Sequence, residues 1–329
     1  MNTALRIAIV LGVLSLTSTV ETQTAERAAA GHFSVILLGT AGGPTINPDR
    51  LGISTLVVAG SERLLFDAGR GMTFGLARLS IRPSTIDKIF LTHLHSDHIV
   101  SIPELFLFPW ASDGRKTPLR IWGPAGTRAM TDHLREAFAF DIHTRRDLDE
   151  RLAPDGITFL ATDVREGVVY EEAGVKVTAF LVDHGPVEPA FGYRVDYGGH
   201  SIVLSGDTSP SDNLVTYARG ADVLIHEIGR SKADPVLIGP ADEVPDGAGN
   251  TRAQLRAIAA HHTDATEAAR VFQRVNPRLV VLSHANQPPA VTLATIARGY
   301  PGRVEYGSDL MTIDIGDEIA VRPFERPAR

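Results

Sequence analysis

The 329-residue sequence contains no cysteine and only four lysines, and both absences limit what the protein can be. Without cysteine the chain has no disulfide, no thiolate metal ligand and no lipid-modified N-terminal cysteine. A secreted protein of this size folds without disulfides, so the absence does not identify the compartment. The formal net charge is −7. The composition lacks the basic stripe that a phosphate backbone requires, and nucleic acid is therefore an unlikely partner.

The N-terminus has the pattern of a secretory signal. Arg6 gives a short positive start, Ile7 to Leu16 is an apolar run, and Thr17 to Thr24 is small and polar. The apolar run falls short of the roughly 18 to 20 residues that cross a bilayer, so no stable membrane insertion is expected once the signal is cleaved. We therefore expect a signal peptide and tail over residues 1–30, one folded domain over residues 31–329, and a periplasmic or secreted location.

Three histidines and one aspartate stand within six residues, directly after the apolar run Ile86 to Leu91. They are His93, His95, Asp97 and His98. Imidazole nitrogens and carboxylate oxygens are ligands of Zn²⁺, and a loop lets side chains two and three residues apart converge on one ion. A helix would instead pair ligands four residues apart. The spacing predicts a metal site on a loop, with a polar surface loop as the alternative.

Four later apolar strands also end at a histidine or an acidic residue. In chain order these strand ends carry His184, Asp207, His226 with Glu227, and His284. A single histidine of this kind is more often a core or capping residue. Because the loops at strand ends gather to build sites, the repetition favours one shared site.

Apolar periodicity predicts runs of strands followed by alternating helices and strands, twice along the chain. The predicted strands are Phe33 to Leu38, Ser54 to Val58, Arg63 to Phe66, Leu119 to Trp122, Ile157 to Ala161, Val175 to Val182, Phe191 to Val195, Ser201 to Leu204, Val223 to Ile225, Leu279 to Leu282, Met311 to Ile315 and Ile319 to Val321. The predicted helices are Thr73 to Ser80, Ile99 to Phe108, one ending near Phe138, Pro210 to Ala218, Thr263 to Val275 and Ala290 to Ala297. Two sheets packed face to face, with helices outside both, would bury these runs.

The cluster His-x-His-x-Asp-His, followed by His184, Gly206-Asp207-Thr208 and Ser283-His284, resembles the metallo-β-lactamase superfamily from about Phe33 onward. The resemblance implies an α/β fold, classed as α+β in some schemes, built as a four-layer αββα sandwich. It also implies two Zn²⁺ ions, with Mn²⁺ or Fe²⁺ as substitutes. The implied ligands are His93, His95 and His184 for one ion, Asp97, His98 and His284 for the other, and Asp207 as the bridge.

Further residues are similar to the ribonuclease Z branch, which also includes metal-dependent arylsulfatases and small phosphodiesterases. They are Ala190 to Val195, His226-Glu227, and His262-Thr263 ahead of Glu267. The similarity implies that His262 contacts the scissile phosphate and that Glu227 orients the His262 side chain. The other histidines, His32, His133, His143, His200 and His261, are assigned structural or surface roles.

Long ribonuclease Z forms carry an arm that grips transfer RNA, where this chain has only a turn of hairpin length at Asp196 to His200. The resemblance implies a di-zinc hydrolase, and the missing arm together with the acidic charge favours small anionic esters as its substrates, either an aryl sulfate or a phosphodiester. A metal-bridging hydroxide oriented by Asp97 would attack the ester. The alternatives are a ribonuclease Z-type RNA endonuclease and a lactonase or β-lactamase-like hydrolase. A homodimer is compatible with the resemblance, since dimers are common in the family.

Overall fold

Two mixed β-sheets organise the structure. The computed structural model describes residues 31–245 and 249–325. The predicted signal over residues 1–30 lies outside the described residues. Within the described ranges, no helix has the length and apolar character needed to cross a membrane.

The strands divide into a sheet of eight and a sheet of seven. In chain order they are β1 (Phe33–Gly39), β2 (Ser54–Ala59), β3 (Glu62–Phe66), β4 (Lys88–Phe90), β5 (Leu119–Gly123), β6 (Phe159–Asp163), β7 (Gly167–Glu172), β8 (Val175–Val182), β9 (Ala190–Tyr197), β10 (His200–Leu204), β11 (Val223–Ile228), β12 (Leu279–Ala285), β13 (Val304–Tyr306), β14 (Met311–Ile315) and β15 (Ile319–Arg322). The first sheet has the order β15-β14-β1-β2-β3-β4-β5-β6, and the second has the order β13-β12-β11-β10-β9-β8-β7.

Helices cover the outer face of each sheet. They are α1 (Met72–Arg78), α2 (Ser96–Ile99), α3 (Ile102–Ser112), α4 (Thr127–Ala137), α5 (Ala139–His143), α6 (Asp212–Ala218), α7 (Arg252–Ala260), α8 (Ala265–Val275) and α9 (Pro289–Ala297). The strongly amphipathic α8 begins at a capping box, in which Asp264 accepts from the backbone N–H of Glu267 and the Glu267 side chain accepts in return from Asp264.

Three hydrophobic clusters fill the spaces between the layers. One lies between the two sheets and contains Phe66, Phe90 and Tyr193, the second packs the first sheet against its helices, and the third does the same for the second sheet. Burying one such aromatic or aliphatic side chain contributes about 1.5 to 3 kcal/mol, so these clusters are the main source of stability. The four-layer αββα sandwich predicted from the sequence is confirmed.

Parallel strands bring the candidate ligands to one edge. Strands β3 to β6 run parallel in the first sheet, and β10 to β13 run parallel in the second. The carboxyl ends of parallel strands meet at the same edge. Two hydrogen bonds join the sheets there: the backbone N–H of Phe191 donates to the Thr92 carbonyl (2.9 Å) and the Tyr193 hydroxyl donates to the Leu91 carbonyl (2.8 Å).

Several elements differ from the prediction. The edge strands β7 and β13 and the helix α7 were not predicted, and the expected strand Ile157 to Ala161 begins only at Phe159, because Pro154 starts a 3₁₀ turn that ends at Ile157. The expected helix Ile99 to Phe108 is divided into α2 and α3, with Pro103 in the first turn of α3, where a proline costs no hydrogen bond.

Candidate metal centre

All seven predicted metal ligands lie together at the shared edge of the sheets. The potential ligand atoms of His93, His95 and His184 lie within 4.8 Å of one another, and so do those of Asp97, His98 and His284. Asp207 lies close to both groups, since His93, His98 and Asp207 form a further set within the same distance. These seven side chains therefore lie at one rim of the sandwich.

Distances between individual atoms show how tightly the groups pack. Nε2 of His98 lies 3.4 Å from Oδ2 of Asp207, and Nδ1 of His284 lies 3.4 Å from Oδ1 of the same carboxylate. Nε2 of His284 is 3.3 Å from Oδ2 of Asp97, and Nε2 of His184 is 3.5 Å from Nδ1 of His95. Asp207 thus lies between the two groups, as a bridging ligand would.

Hydrogen bonds within the chain do not account for the cluster. Nε2 of His93 and Nε2 of His98 are both buried and have no hydrogen-bond partner among the described residues. A buried polar atom without a partner costs about 1 to 3 kcal/mol, so a group from outside the chain is needed. Imidazole and carboxylate donors at this spacing fit a divalent cation such as Zn²⁺.

The pKa shifts of the histidines are compatible with a bound cation. Burial lowers the pKa of His184 to about 4 and that of His93 well below its ordinary value, so both imidazoles are neutral at pH 7. Burial also opposes a charge on His98, but Asp207 and Asp67 outweigh it and raise the pKa of His98 well above its ordinary value. A metal ion would replace that proton, because metal ligands bind in their deprotonated forms.

Asp67 fixes the orientation of the histidine cluster. Its carboxylate accepts from Nδ1 of His98 (2.8 Å), from the backbone N–H of Thr92 (2.9 Å) and from the Thr92 hydroxyl (2.8 Å). The Thr92 hydroxyl also lies 3.0 Å from Nδ1 of His93. Because Nδ1 of His98 is occupied, its Nε2 faces the cluster. Asp67 directly follows the last residue of β3.

The glycine loop after β1 packs directly on His284. A Cβ atom at Gly42 would lie 2.8 Å from the His284 carbonyl oxygen and 3.0 Å from its Nδ1, closer than real Cβ contacts allow. His284 has a positive φ of 47°, which is uncommon for a residue with a side chain. The loop therefore holds a candidate ligand in place.

Glu227 and His262 form a buried pair beside the cluster. Oε2 of Glu227 lies 3.2 Å from Nδ1 of His262, while Oε1 accepts from the backbone N–H groups of Thr263 (2.9 Å) and Thr208 (3.3 Å). Burial lowers the pKa of His262, but the Glu227 carboxylate outweighs it and the pKa rises to about 9. The His262 ring stacks on that of His284, with 5.8 Å between ring centroids.

His261 also lies at the site, although the sequence assigned it a structural or surface role. Its backbone carbonyl is 3.1 Å from Nδ1 of His184, and its ring packs edge-on against the same imidazole. The potential ligand atoms of His184, His261 and His262 lie within 4.8 Å of one another. In the sequence, the spacing to Glu267 favoured His262 over its neighbour His261, whereas the structure places both histidines at the site.

A family model for the beta-lactamase superfamily domain matches residues 62–285 of the chain. Two similar proteins are both named ribonuclease Z. The one from Mycobacterium sp. (strain KMS) is 34% identical over 298 residues, which cover 88% of this chain and 99% of the relative. The one from Mycobacterium avium (strain 104) is 35% identical over 299 residues, which cover 86% of this chain and 98% of the relative.

Solved structures share the fold. The metallo-β-lactamase fold protein YhfI from Bacillus subtilis aligns with a TM-score of 0.64 at 18% identity, covering 86% of this chain and 99% of YhfI. Human tRNase Z, short form, aligns with a TM-score of 0.58 at 24% identity, covering 85% of this chain and 98% of the human protein. Members of this superfamily bind divalent metal ions such as zinc, which agrees with the donor set described above.

The expected preference for small anionic esters such as aryl sulfates is wrong. The relatives named ribonuclease Z align along nearly their whole length, and the activity expected only as an alternative agrees better with them. The prediction was wrong because it took the missing arm as evidence against ribonuclease Z activity. An alignment of 298 residues that uses 88% of this chain leaves room only for short insertions in the relative, so the short turn at Asp196 to His200 does not separate the two proteins.

The expectation that nucleic acid is an unlikely partner is also wrong, since the relatives are named for action on RNA. Net charge is a sum over the whole surface, and it does not report the local charge of a site that binds cations. The described residues form the sandwich, and histidines and aspartates meet at its edge. The chain is a hydrolase that belongs to the metallo-β-lactamase superfamily and is homologous to proteins named ribonuclease Z.

Proposed function

We propose that the protein is a ribonuclease Z-type endonuclease that hydrolyses phosphodiester bonds of RNA with two bound divalent metal ions. The convergence of seven imidazole and carboxylate ligands at one rim carries the proposal, together with the full-length similarity to relatives named ribonuclease Z. Zn²⁺ is the expected metal, because four-coordinate sites of histidine and aspartate suit it.

His93, His95 and His184 would bind one ion, Asp97, His98 and His284 the other, and Asp207 both. When bound, such ions act as Lewis acids that neutralise phosphate charge and lower the pKa of water. The role of Asp67 and Thr92 is to hold the imidazoles in the tautomer that presents a lone pair to the cluster.

His262 is the proposed acid on the leaving-group side. Its Nδ1 is taken by Glu227, so Nε2 is the ring nitrogen left to donate a hydrogen bond or a proton to a substrate oxygen. His262 and His284 also line a pocket of about 250 Å³ that includes Arg230 and Asn250, so a substrate has room beside this imidazole. Glu227, which is buried and held by two backbone amides, keeps the imidazole protonated and in position.

The test is cleavage of a labelled RNA hairpin with a single-stranded 3′ extension by the purified chain. We expect cleavage by the zinc-loaded protein, loss of cleavage after chelation, and recovery when Zn²⁺ or Mn²⁺ is added back. The His184→Ala variant should be inactive, whereas His133→Ala, which changes an exposed histidine of α4 that is not among the proposed ligands, should cleave normally. A zinc-loaded wild-type chain that leaves all RNA intact would contradict the proposal.

We also propose that residues 1–30 are an export signal and that residues 31–329 form the hydrolase domain. The apolar run from Ile7 to Leu16 behind Arg6 supports this division. Mass spectrometry of the protein recovered from the periplasm and the medium of a bacterial host tests it. We expect a shortened N-terminus there. Full-length protein confined to the cytoplasm would contradict export.

A further inference from the structure

One nitrogen of the Arg70 guanidinium group lacks a hydrogen-bond partner beside the candidate metal centre. Its Nη2 atom is buried and has no hydrogen-bond partner among the described residues. The backbone there is fixed, because the Arg70 carbonyl accepts from the N–H of Gly52 at 2.8 Å. The preceding residue, Gly69, packs against the backbone of Asp97, since a Cβ at Gly69 would lie 2.6 Å from the Asp97 carbonyl oxygen. Arg70 is therefore held next to a candidate ligand.

A buried guanidinium nitrogen without an acceptor is costly. A guanidinium group stays charged at all ordinary pH values, and burying a charged donor without an acceptor costs more than burying a neutral one. The buried Arg115 donates to the carbonyl oxygens of Leu105, Phe106 and Gly156. Because Arg70 lacks acceptors of this kind for Nη2, an acceptor from outside the chain is the physical explanation that fits.

The space in front of Arg70 leads to the metal centre. Arg70, Ser96, Asp97 and Val100 line a pocket of about 210 Å³, and the loop residues Gly43 and Pro44 form part of its wall. The same two loop residues also line the pocket that contains His262 and His284. Each pocket thus includes a candidate ligand, Asp97 in one and His284 in the other, and a polymer that follows the shared wall of Gly43 and Pro44 would pass both.

We propose that Arg70 binds a phosphate of the RNA that flanks the scissile phosphate. This inference rests on the proposed function and narrows its substrate to a polyanion with at least two phosphates. The planar guanidinium presents two parallel N–H donors that match two phosphate oxygens. Ser96 offers a hydroxyl from the same pocket, and the apolar wall formed by Pro44, Ile46 and Val100 suits a ribose or a base.

The experiment measures dissociation constants of the zinc-loaded chain for three uridine dinucleotides. One has no terminal phosphate, one has a 5′-terminal phosphate and one has a 3′-terminal phosphate, each with a hydrolysis-resistant phosphorothioate linkage. A hydrogen bond between charged groups contributes about 1.5 to 3 kcal/mol. We therefore expect one terminal phosphate to tighten binding by about 10-fold or more.

The Arg70→Gln variant should lose this gain and bind all three dinucleotides alike, while Arg70→Lys should keep part of it. Arg78→Gln removes the same charge from an exposed position in the last turn of α1 and should behave as the wild type. Zinc content should stay equal in all variants.

The inference is overturned if neither terminal phosphate tightens binding to the wild type, or if Arg70→Gln keeps the full gain. It is also overturned if Arg70→Gln weakens the dinucleotide without terminal phosphate as strongly as the phosphorylated ones, since that result indicates a structural role. These outcomes are independent of turnover. A chain that binds the extra phosphate through Arg70 but cleaves no RNA would contradict the proposed function alone.

Discussion

Replacing Glu227 with glutamine tests whether this carboxylate acts through His262. Glutamine has the same shape, and its one carbonyl oxygen still accepts from the backbone amides of Thr263 and Thr208. Its NH₂ group then faces Nδ1 of His262, where the carboxylate oxygen stood at 3.2 Å. The substitution therefore removes the charge and reverses one hydrogen bond, while the surrounding backbone keeps its partners.

The expected size follows from that one contact. A hydrogen bond to a charged group contributes about 1.5 to 3 kcal/mol, so Glu227→Gln should slow RNA cleavage by roughly 10- to 150-fold. His262→Ala removes the proposed acid itself and should cost about 10²- to 10⁴-fold. Because Glu227 acts through His262, the double variant should be no slower than His262→Ala.

The assay is single-turnover cleavage of labelled RNA, with zinc content and the thermal midpoint recorded for each variant. We expect the zinc content to be unchanged, because neither residue is among the seven proposed ligands. The reasoning is refuted if the double variant is slower by the product of the two single effects. It is also refuted if Glu227→Gln loses zinc, which would make Glu227 part of metal binding.

Three further substitutions probe the scaffold. Gly42→Ala should displace His284, since its Cβ would lie 2.8 Å from the His284 carbonyl oxygen, and should weaken zinc affinity by about 10- to 100-fold in a chelator competition assay. Gly316→Ala is the control. Unchanged zinc affinity in Gly42→Ala would contradict the contact. Arg115→Met leaves buried carbonyl oxygens without donors and should lower the free energy of unfolding by about 3 kcal/mol in urea, with a loss below 1 kcal/mol counting against it. Burial opposes the charge on Asp222, but hydrogen bonds from Arg278 and a backbone N–H lower its pKa. Asp222→Asn should therefore lower the free energy of unfolding by about 1 kcal/mol at pH 7 and by progressively less below about pH 4. A loss that does not depend on pH would contradict this.

The candidate ligands could be predicted because their signals are local. The cluster from His93 to His98 follows a buried strand, and each other ligand stands at the end of an apolar run. The alternation of apolar residues along strands and the polar residues at strand ends are both visible in the sequence. Parallel strands then bring those ends to one edge of the sheet. The helix predicted from Thr263 to Val275 likewise lies within two residues of α8, whose cap is Asp264.

Other features depend on contacts between distant parts of the chain. Nothing near Arg70 in the sequence shows that its Nη2 atom lacks a partner, because that depends on every residue that folds around it. The close packing of Gly42 on His284 joins residues more than 240 positions apart. The substrate was mispredicted for a related reason, since total charge and one missing arm describe the whole chain rather than the pocket.

Zinc content per chain tests the central claim most directly. After loading and extensive dialysis, elemental analysis of the wild-type protein should give two zinc ions per chain, and Asp207→Ala, which lacks the carboxylate between the two ligand groups, should retain one or fewer. A wild-type chain that binds no zinc, or an Asp207→Ala variant that still holds two ions, would contradict a metal pair held by these seven side chains.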